Sequence, residues 1–296
     1  MKTTRTQNLL AAALVGALAF TTSAMAQTDS RYYRSLTLAP ADDVPAGGGG
    51  APVDEAKATD LAQQLQNPIA DLISVPIQNN FDFGYGPADA MRYTLNVQPI
   101  YPFKLSEDWN LVTRTIIPFI HQESPVKGGP TRSGLGDSLE SLFLSPSKVR
   151  NGWVFGAGPV FQLPTATDSE LGSGKWGAGP TAVALKQSGP WSYGLLLYHI
   201  WSFAGQSSRG EVNSSLVNPW LAYTTKSQWT YAVQTESTHD WTENQWTVPV
   251  ELQVAKLVMF GEHPVQFTLA GRSFVERPKG GPDWGMSFNI TLLFPK

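Results

Sequence analysis

Beyond residue 71 this chain repeats one pattern: every second side chain is apolar, segment after segment. Trp284, Met286, Phe288, Ile290, Leu292 and Phe294 fall on one side, and Gly285, Ser287, Asn289 and Thr291 on the other. The same alternation runs through Trp246–Val254, Trp109–Phe119 and Val265–Leu269. A period of two is a β-strand with one apolar face. Twelve such segments are predicted, near 72–83, 92–102, 109–119, 136–145, 152–163, 175–187, 191–202, 214–224, 228–236, 245–257, 265–273 and 284–294. After residue 26 no apolar run reaches the roughly 20 residues of a membrane helix. A membrane barrel and a soluble secreted β-sandwich or propeller are the two folds this pattern admits.

The connections separate them. Short links at 104–108, 146–151, 188–190, 225–227 and 261–264 alternate with longer ones at 121–135, 164–174, 204–213, 237–244 and 274–283. Short periplasmic turns and long outer loops are the arrangement of outer-membrane barrels, and an even strand number puts both termini at the periplasmic side.

Aromatic residues supply an independent sign. Trp109, Trp153, Trp191 and Trp229 each open a strand after a short turn, while Tyr101, Phe143, Tyr223, Phe260 and Phe294 close strands at the same level. Phe119, Trp176, Trp201, Trp246, Phe274 and Trp284 mark the opposite level. Two girdles are expected where amphipathic rings settle at membrane interfaces. From Trp109 to Phe119 is about 33 Å of strand, which rises roughly 25 Å at a tilt of about 40°, the height of the apolar band in such barrels. The expected fold is all-β: a transmembrane antiparallel β-barrel of about twelve strands, with a short N-terminal helix.

The start of the chain is organised differently. Lys2 and Arg5, an apolar run from Leu9 to Phe20 and a small-x-small site at Ala24-Met25-Ala26 form a cleavable signal peptide, residues 1–26. Residues 27–70 read as a flexible lead-in, with four glycines at 47–50. Within it Asp54, Glu55, Leu61 and Leu65 predict a short helix over 53–66 that Pro68 stops. That helix either plugs a lumen or simply leads into the first strand. The barrel takes residues 71–296.

Charged residues are only 15% of the chain, against about 25% in globular proteins. Removing Lys2 and Arg5 from the 21 basic residues leaves 19 against 24 acidic ones, so nucleic acid is not an expected partner. Cysteine is absent, which excludes disulfides and thiol chemistry. The expected partners are outer-membrane lipid, the barrel-assembly machinery and an unspecified small solute.

If the apolar face meets lipid, the other face lines the interior. It carries Arg92, Thr94, Asn96, Gln98, Arg114, Gln162, Asn218, Glu251, Gln253, Gln266 and Arg272 as candidate lumen residues, which either form a selective pore or pair with one another and fill it. Inward glycines at 156, 158, 177 and 179 either make room for an inserted segment or solute, or ease bending of the wall. His121, His199, His239 and His263 have no second ligand at metal spacing, so neither a metal nor a cofactor is expected. His239-Asp240 with Glu236 and Glu243 reads as a solvated loop cluster. A serine hydrolase on a barrel needs Ser and His in reach of one another. The one neighbourhood offering this is His199 with Ser202, Ser207 or Asn213, so catalysis is not expected.

Several pieces resemble a known family. GLGD at 134–137, GAGP at 156–159, LPTAT at 163–167, LGSGKW at 171–176, GP at 179–180, HIWSFAG at 199–205 and LLFPK at 292–296 are similar to the bacterial outer-membrane "MetA-pathway of phenol degradation" proteins, also labelled neuromedin U-like transporters. The resemblance spans about residue 60 to the C-terminus. It implies a barrel with a transport role and fixes neither substrate nor site residues. The expectation is a passive outer-membrane channel for a small solute, aromatic or hydrophobic by that association. The competing role is a non-conducting structural or adhesive barrel, with a barrel lipase as the lesser alternative.

Overall fold

The computed structural model describes residues 55–261 and 263–294. The signal peptide and the glycine-rich part of the lead-in lie outside them. A helix, α1 (Glu55–Gln64), precedes β1 (Ile73–Tyr85), β2 (Ala90–Val97), β3 (Ile100–Lys104), β4 (Trp109–Gln122), β5 (Arg132–Leu135), β6 (Ser138–Pro146), β7 (Trp153–Leu163) and β8 (Lys175–Ser188). β9 (Trp191–Gly205), β10 (Asn213–Thr224), β11 (Trp229–Gln234), β12 (Ser237–Asp240), β13 (Gln245–Phe260), β14 (His263–Glu276) and β15 (Trp284–Phe294) follow. Every neighbouring pair is antiparallel. β15 returns to pair with β1 from Ile73↔Phe294 to Phe83↔Trp284, so the sheet closes on itself and has no edge.

These pieces make a twelve-strand barrel because three of its strands are interrupted. Each interruption faces a proline on the neighbouring strand, whose nitrogen has no proton to donate to the ladder. The break between β2 and β3 has Gln98 N–H donating to the Pro76 carbonyl at 2.9 Å. The break between β5 and β6 has Gly136 N–H donating to Pro118 at 2.9 Å, and that between β11 and β12 has Thr235 N–H donating to Pro219 at 3.3 Å. Two of these continuations fall in predicted loops: Arg132–Leu135 and Ser237–Asp240 are strand.

The outer surface is apolar and exposed. Leu195, Leu197, Leu221, Val233, Leu252, Leu269 and Phe288 form the belt. Trp109, Trp153, Trp191 and Trp229 stand exposed at the short-turn level, and Phe119, Trp201, Trp246 and Trp284 at the long-loop level, as two girdles. Lys186 lies over Trp153 at 5.5 Å and Lys256 over Trp229 at 5.4 Å, charges held at the interface by ring faces. Where the belt admits a carboxylate it is bonded: Thr115 donates to Glu140 at 2.5 Å.

Two girdle assignments are corrected. Phe143 is 1% exposed and points inward, within a cluster of Val112, Val154, Val183, Leu185 and Leu196. Phe274 shares the inward face of Arg272, whose guanidinium sits 5.9 Å from its ring. Strand parity, not position near a strand end, decides which way a side chain points.

Candidate functional site

Among the described residues the barrel encloses a lumen with many polar side chains. Its two sides differ because their sequences differ. On β14, β15, β1 and β2 the inward polar positions are Gln266, Thr268 and Arg272, then Ser287, Asn289 and Thr291, then Ser74, Gln78, Asn80 and Asp82, then Arg92, Thr94 and Asn96, with Ala270, Pro76 and Leu293 as apolar positions on the same face. Across the barrel, β7, β8 and β9 turn inward the apolar Val154, Val160, Val183, Leu185, Leu196 and Ile200 and the bare Gly156 and Gly158, together with Gln162, Thr181, Ser192 and Tyr198. One wall is mainly polar; the opposite wall mixes a large apolar cluster with a few polar groups.

The predicted lumen residues do face inward, and several come together. Arg272 Nε donates to Asp82 Oδ1 at 2.8 Å, and its Nη1 lies 3.8 Å from Glu251. Glu251 also accepts from Gln234 at 3.2 Å and from Gln253. Arg114 donates to Gln98 at 2.8 Å, and Gln98 donates to Gln78 at 2.6 Å. Asn218 donates to the Thr235 carbonyl at 3.0 Å and Gln162 to Ser173 at 2.7 Å. Arg92 and Asn96 stand opposite Asp82 and Gln78 in register. Asp82, Gln78 and Glu236 were missed. Period two could have found the first two, because they share the face of Asn80. Glu236 lies in the interrupted strand and faces the lumen beside Asn218, rather than joining a loop cluster with His239. Its side chain borders open space in the lumen there.

At the short-turn end, residues before β1 enter the barrel. Chain entering from α1 turns into the barrel, and Ile69, 4% exposed, joins the cluster around Phe143. A Cβ on Gly156 would lie 2.7 Å from Ile69 Cδ1, so this glycine makes room for the inserted segment. A Cβ on Gly158 would lie 1.9 Å from the Leu142 carbonyl and one on Gly179 1.7 Å from that of His199. Those two allow adjacent strands to approach where the wall bends. The helix itself lies across strand ends: Ala58, Leu61 and Ala62 pack on Leu72, Leu257 and Leu293. Thr59 donates to the Lys226 carbonyl at 3.0 Å, and Gln187 donates to that of Gln63 at 2.9 Å.

At the outer mouth the LGSGKW stretch is a clamped loop. Asp137 accepts from Ser173 N–H at 2.7 Å and from its hydroxyl at 2.6 Å. Arg209 donates to the carbonyls of Ser169 at 2.7 Å and Gly172 at 2.6 Å. A cleft of about 450 Å³ remains between these loops. Glu211 ties the neighbouring loop down, accepting from the Ser202 hydroxyl and pairing with Lys175 at 3.0 Å. The Ser202 bond first, then the lysine, hold its carboxyl below the ordinary carboxylate value. A depressed folded value contributes stability above the unfolded pKa and loses it as pH falls through the folded one. The protection of amides in residues 206–212, measured relative to the intrinsic exchange rate at each pH, is therefore expected to fall as pH drops below the usual glutamate range, and Glu211→Gln to remove that dependence.

On the outer wall His199 meets a different serine from those its sequence neighbourhood offered. Its Nδ1 is 2.7 Å from Ser215 Oγ, across the β9–β10 ladder, and Trp241 Nε1 donates to the same oxygen at 2.9 Å. His199 Nε2 is buried with no hydrogen-bond partner.

A closed antiparallel wall, apolar outside and polar inside, is a transmembrane β-barrel of the outer-membrane type. No family profile and no curated protein sequence matches the chain. Solved structures do. The COG4313 outer membrane channel from Pseudomonas putida F1 superposes with a TM-score of 0.60 at 15% identity, over 76% of this chain and 96% of that one. Outer membrane phospholipase A from Escherichia coli gives 0.43 at 11%, over 78% and 97%. The CymD monoaromatic hydrocarbon channel gives 0.41 at 8%, over 84% and 95%. At these identities the likeness is one of fold.

Proposed function

We propose that this protein is a passive outer-membrane channel for a small solute, closed at rest by its own N-terminal segment. The observation that carries this reading is the predominantly polar inner wall, which runs from Arg92 and Arg272 down to Ser74 and Gln266 with Ala270 and Pro76 as its small apolar positions. The role follows that of the COG4313 channel, and the resemblance to the phenol-degradation transporters favours an aromatic or hydrophobic cargo. Reconstituted protein is expected to pass current in planar bilayers. Glu236→Gln, which removes an exposed negative charge from the lumen, is expected to lower the cation-to-anion permeability ratio. A barrel silent both in bilayers and in liposome flux would instead serve as structure or adhesion.

A second reading, hydrolysis at the outer wall, has one observation in its favour, the Ser215–His199 bond. Nucleophilic catalysis also needs a group orienting the base, and His199 Nε2 has none. Ser215 is therefore expected to resist a fluorophosphonate probe in the folded, detergent-solubilised protein. Labelling that Ser215→Ala abolishes would restore the enzyme.

A further inference from the structure

Three sequence stretches that the channel reading leaves without a role, GLGD at 134–137, LPTAT at 163–167 and LGSGKW at 171–176, meet at the outer mouth. Each contributes to the walls of the cleft of about 450 Å³, which residues 205–209 of the next loop complete. That volume lies within the range of about 300–1,000 Å³ typical of small-ligand sites. Its lining is reached from outside: Gln206 and Ser169 are exposed, and Trp176 is half-buried. The walls are also held in place before any ligand arrives. Asp137 accepts from the Ala166 N–H at 3.3 Å as well as from Ser173, and Arg209 reaches a third carbonyl, that of Ser173, at 3.3 Å. A Cβ on Gly172 would lie 2.3 Å from Ala166 Cβ, so the bare backbone lets the two sides of the loop close up. A preformed site loses little freedom on binding.

The same bonds decide what is left over for a ligand. The charged groups of the cleft are occupied: Asp137 by the Ser173 and Ala166 donors, Arg209 by loop carbonyls, and Asp168 by Arg132 at 3.7 Å. With the two signs set against each other, the cleft does not concentrate an ion. Three neutral groups stay uncommitted. The Trp176 indole N–H, the Gln206 side-chain amide and the Ser169 hydroxyl make no hydrogen bond within the described residues. Together they offer both donors and acceptors. The Trp176 ring, with Pro164 and Ala166, adds an apolar surface. The matching ligand is uncharged, carries hydroxyls that both donate and accept, and has a C–H face. A pyranose ring has all three properties.

We propose that this cleft is a saccharide-binding site, taking a neutral pyranose whose C–H face lies on Trp176 and whose hydroxyls bond Gln206 and Ser169. The sugar comes free from the medium or as the head of an outer-leaflet glycolipid, and the chemistry recognised is the same. The site stands independently of the channel reading, since it lies in the loops and needs no open lumen.

Saturation-transfer NMR on the full, folded protein in lauryldimethylamine oxide, a detergent without sugar, tests it. The probes are the common neutral aldohexoses, their disaccharides and the dephosphorylated core oligosaccharide released from lipopolysaccharide, with benzoate and benzylammonium as charged ring controls. A saccharide is expected to receive saturation, strongest at its ring C–H protons. Trp176→Ala is expected to abolish that signal and Trp176→Phe, which keeps a ring, to retain it. Gln206→Ala, on an exposed loop, is expected to weaken the affinity about fivefold, the equivalent of one neutral hydrogen bond. Heat-modifiable gel migration reports whether each variant folds, and Gln206→Ala decides alone if Trp176→Ala does not. Signal from the core oligosaccharide alone assigns the glycolipid as the source, and signal from free sugars alone the medium; either upholds the site. No signal from any saccharide, a stronger signal from either charged control, or a saccharide affinity that Gln206→Ala leaves unchanged overturns it.

Discussion

A variant lacking residues 55–70 is expected to conduct severalfold more current than the full chain, with fewer closed intervals. The reason is the placement of Ile69. It is inserted among Val112, Phe143, Val154, Val183, Leu185 and Leu196, against the space left by Gly156, and fills that part of the lumen. Around it α1 adds Leu61 and Ala62 packed on the strand-end residues Leu257 and Leu293. The barrel does not depend on this segment for closure, because β1 pairs with β15 along its length. Folding is therefore expected to survive its removal, checked by heat-modifiable gel migration. Ile69→Ser is the milder form: a polar side chain in an apolar cluster loosens the segment without deleting it. If the deletion folds and its conductance equals that of the wild type, the segment is not the plug.

Leu197→Arg is expected to destabilise the membrane-inserted barrel by about 2–4 kcal/mol, the cost of an arginine on the lipid face at the bilayer midplane. Leu197 is 38% exposed and points away from the lumen, in the row of Trp191, Tyr193 and Leu195. Six residues beyond Trp191, it stands roughly 15 Å up a band about 25 Å tall. Thr94→Arg is the control. Thr94 faces the half-buried polar lumen opposite Asn80, where a guanidinium keeps water and carboxylate neighbours. Denaturant unfolding in lipid vesicles should separate the two. Equal losses would mean that the two faces have been assigned the wrong way round.

Which parts of this were legible in the sequence depended on how different the two faces of each strand are. β15 alternates Trp284, Met286 and Phe288 with Gly285, Ser287 and Asn289, so its inward and outward faces could be read directly, and so could those of β1, β13 and β14. In the lower half of β6 both faces are apolar. Leu142 and Leu144 meet lipid while Phe143 meets Ile69, and no alternation marks which is which. The plug thus hid the parity of the strands that hold it. Phe274 is a different case, since parity with Arg272 already placed it inward and only its nearness to a loop suggested a girdle. The breaks opposite Pro76, Pro118 and Pro219 depend on register, which a single strand does not reveal. The same holds for Ser215, brought to His199 by cross-strand pairing, and for Asp82, which gains its meaning from Arg272 on a strand 190 residues away.

The central claim is that this wall spans a membrane with its long loops outside, and the absence of cysteine makes it directly testable. Single cysteines placed at Gly210, where a side chain meets open space, and at Lys148 in the turn between β6 and β7, are reacted with a membrane-impermeant maleimide on intact cells. The barrel predicts that Gly210→Cys is labelled on intact cells and Lys148→Cys only after the outer membrane is opened. Equal labelling of both on intact cells, or recovery of the folded protein from the soluble periplasm, would contradict it.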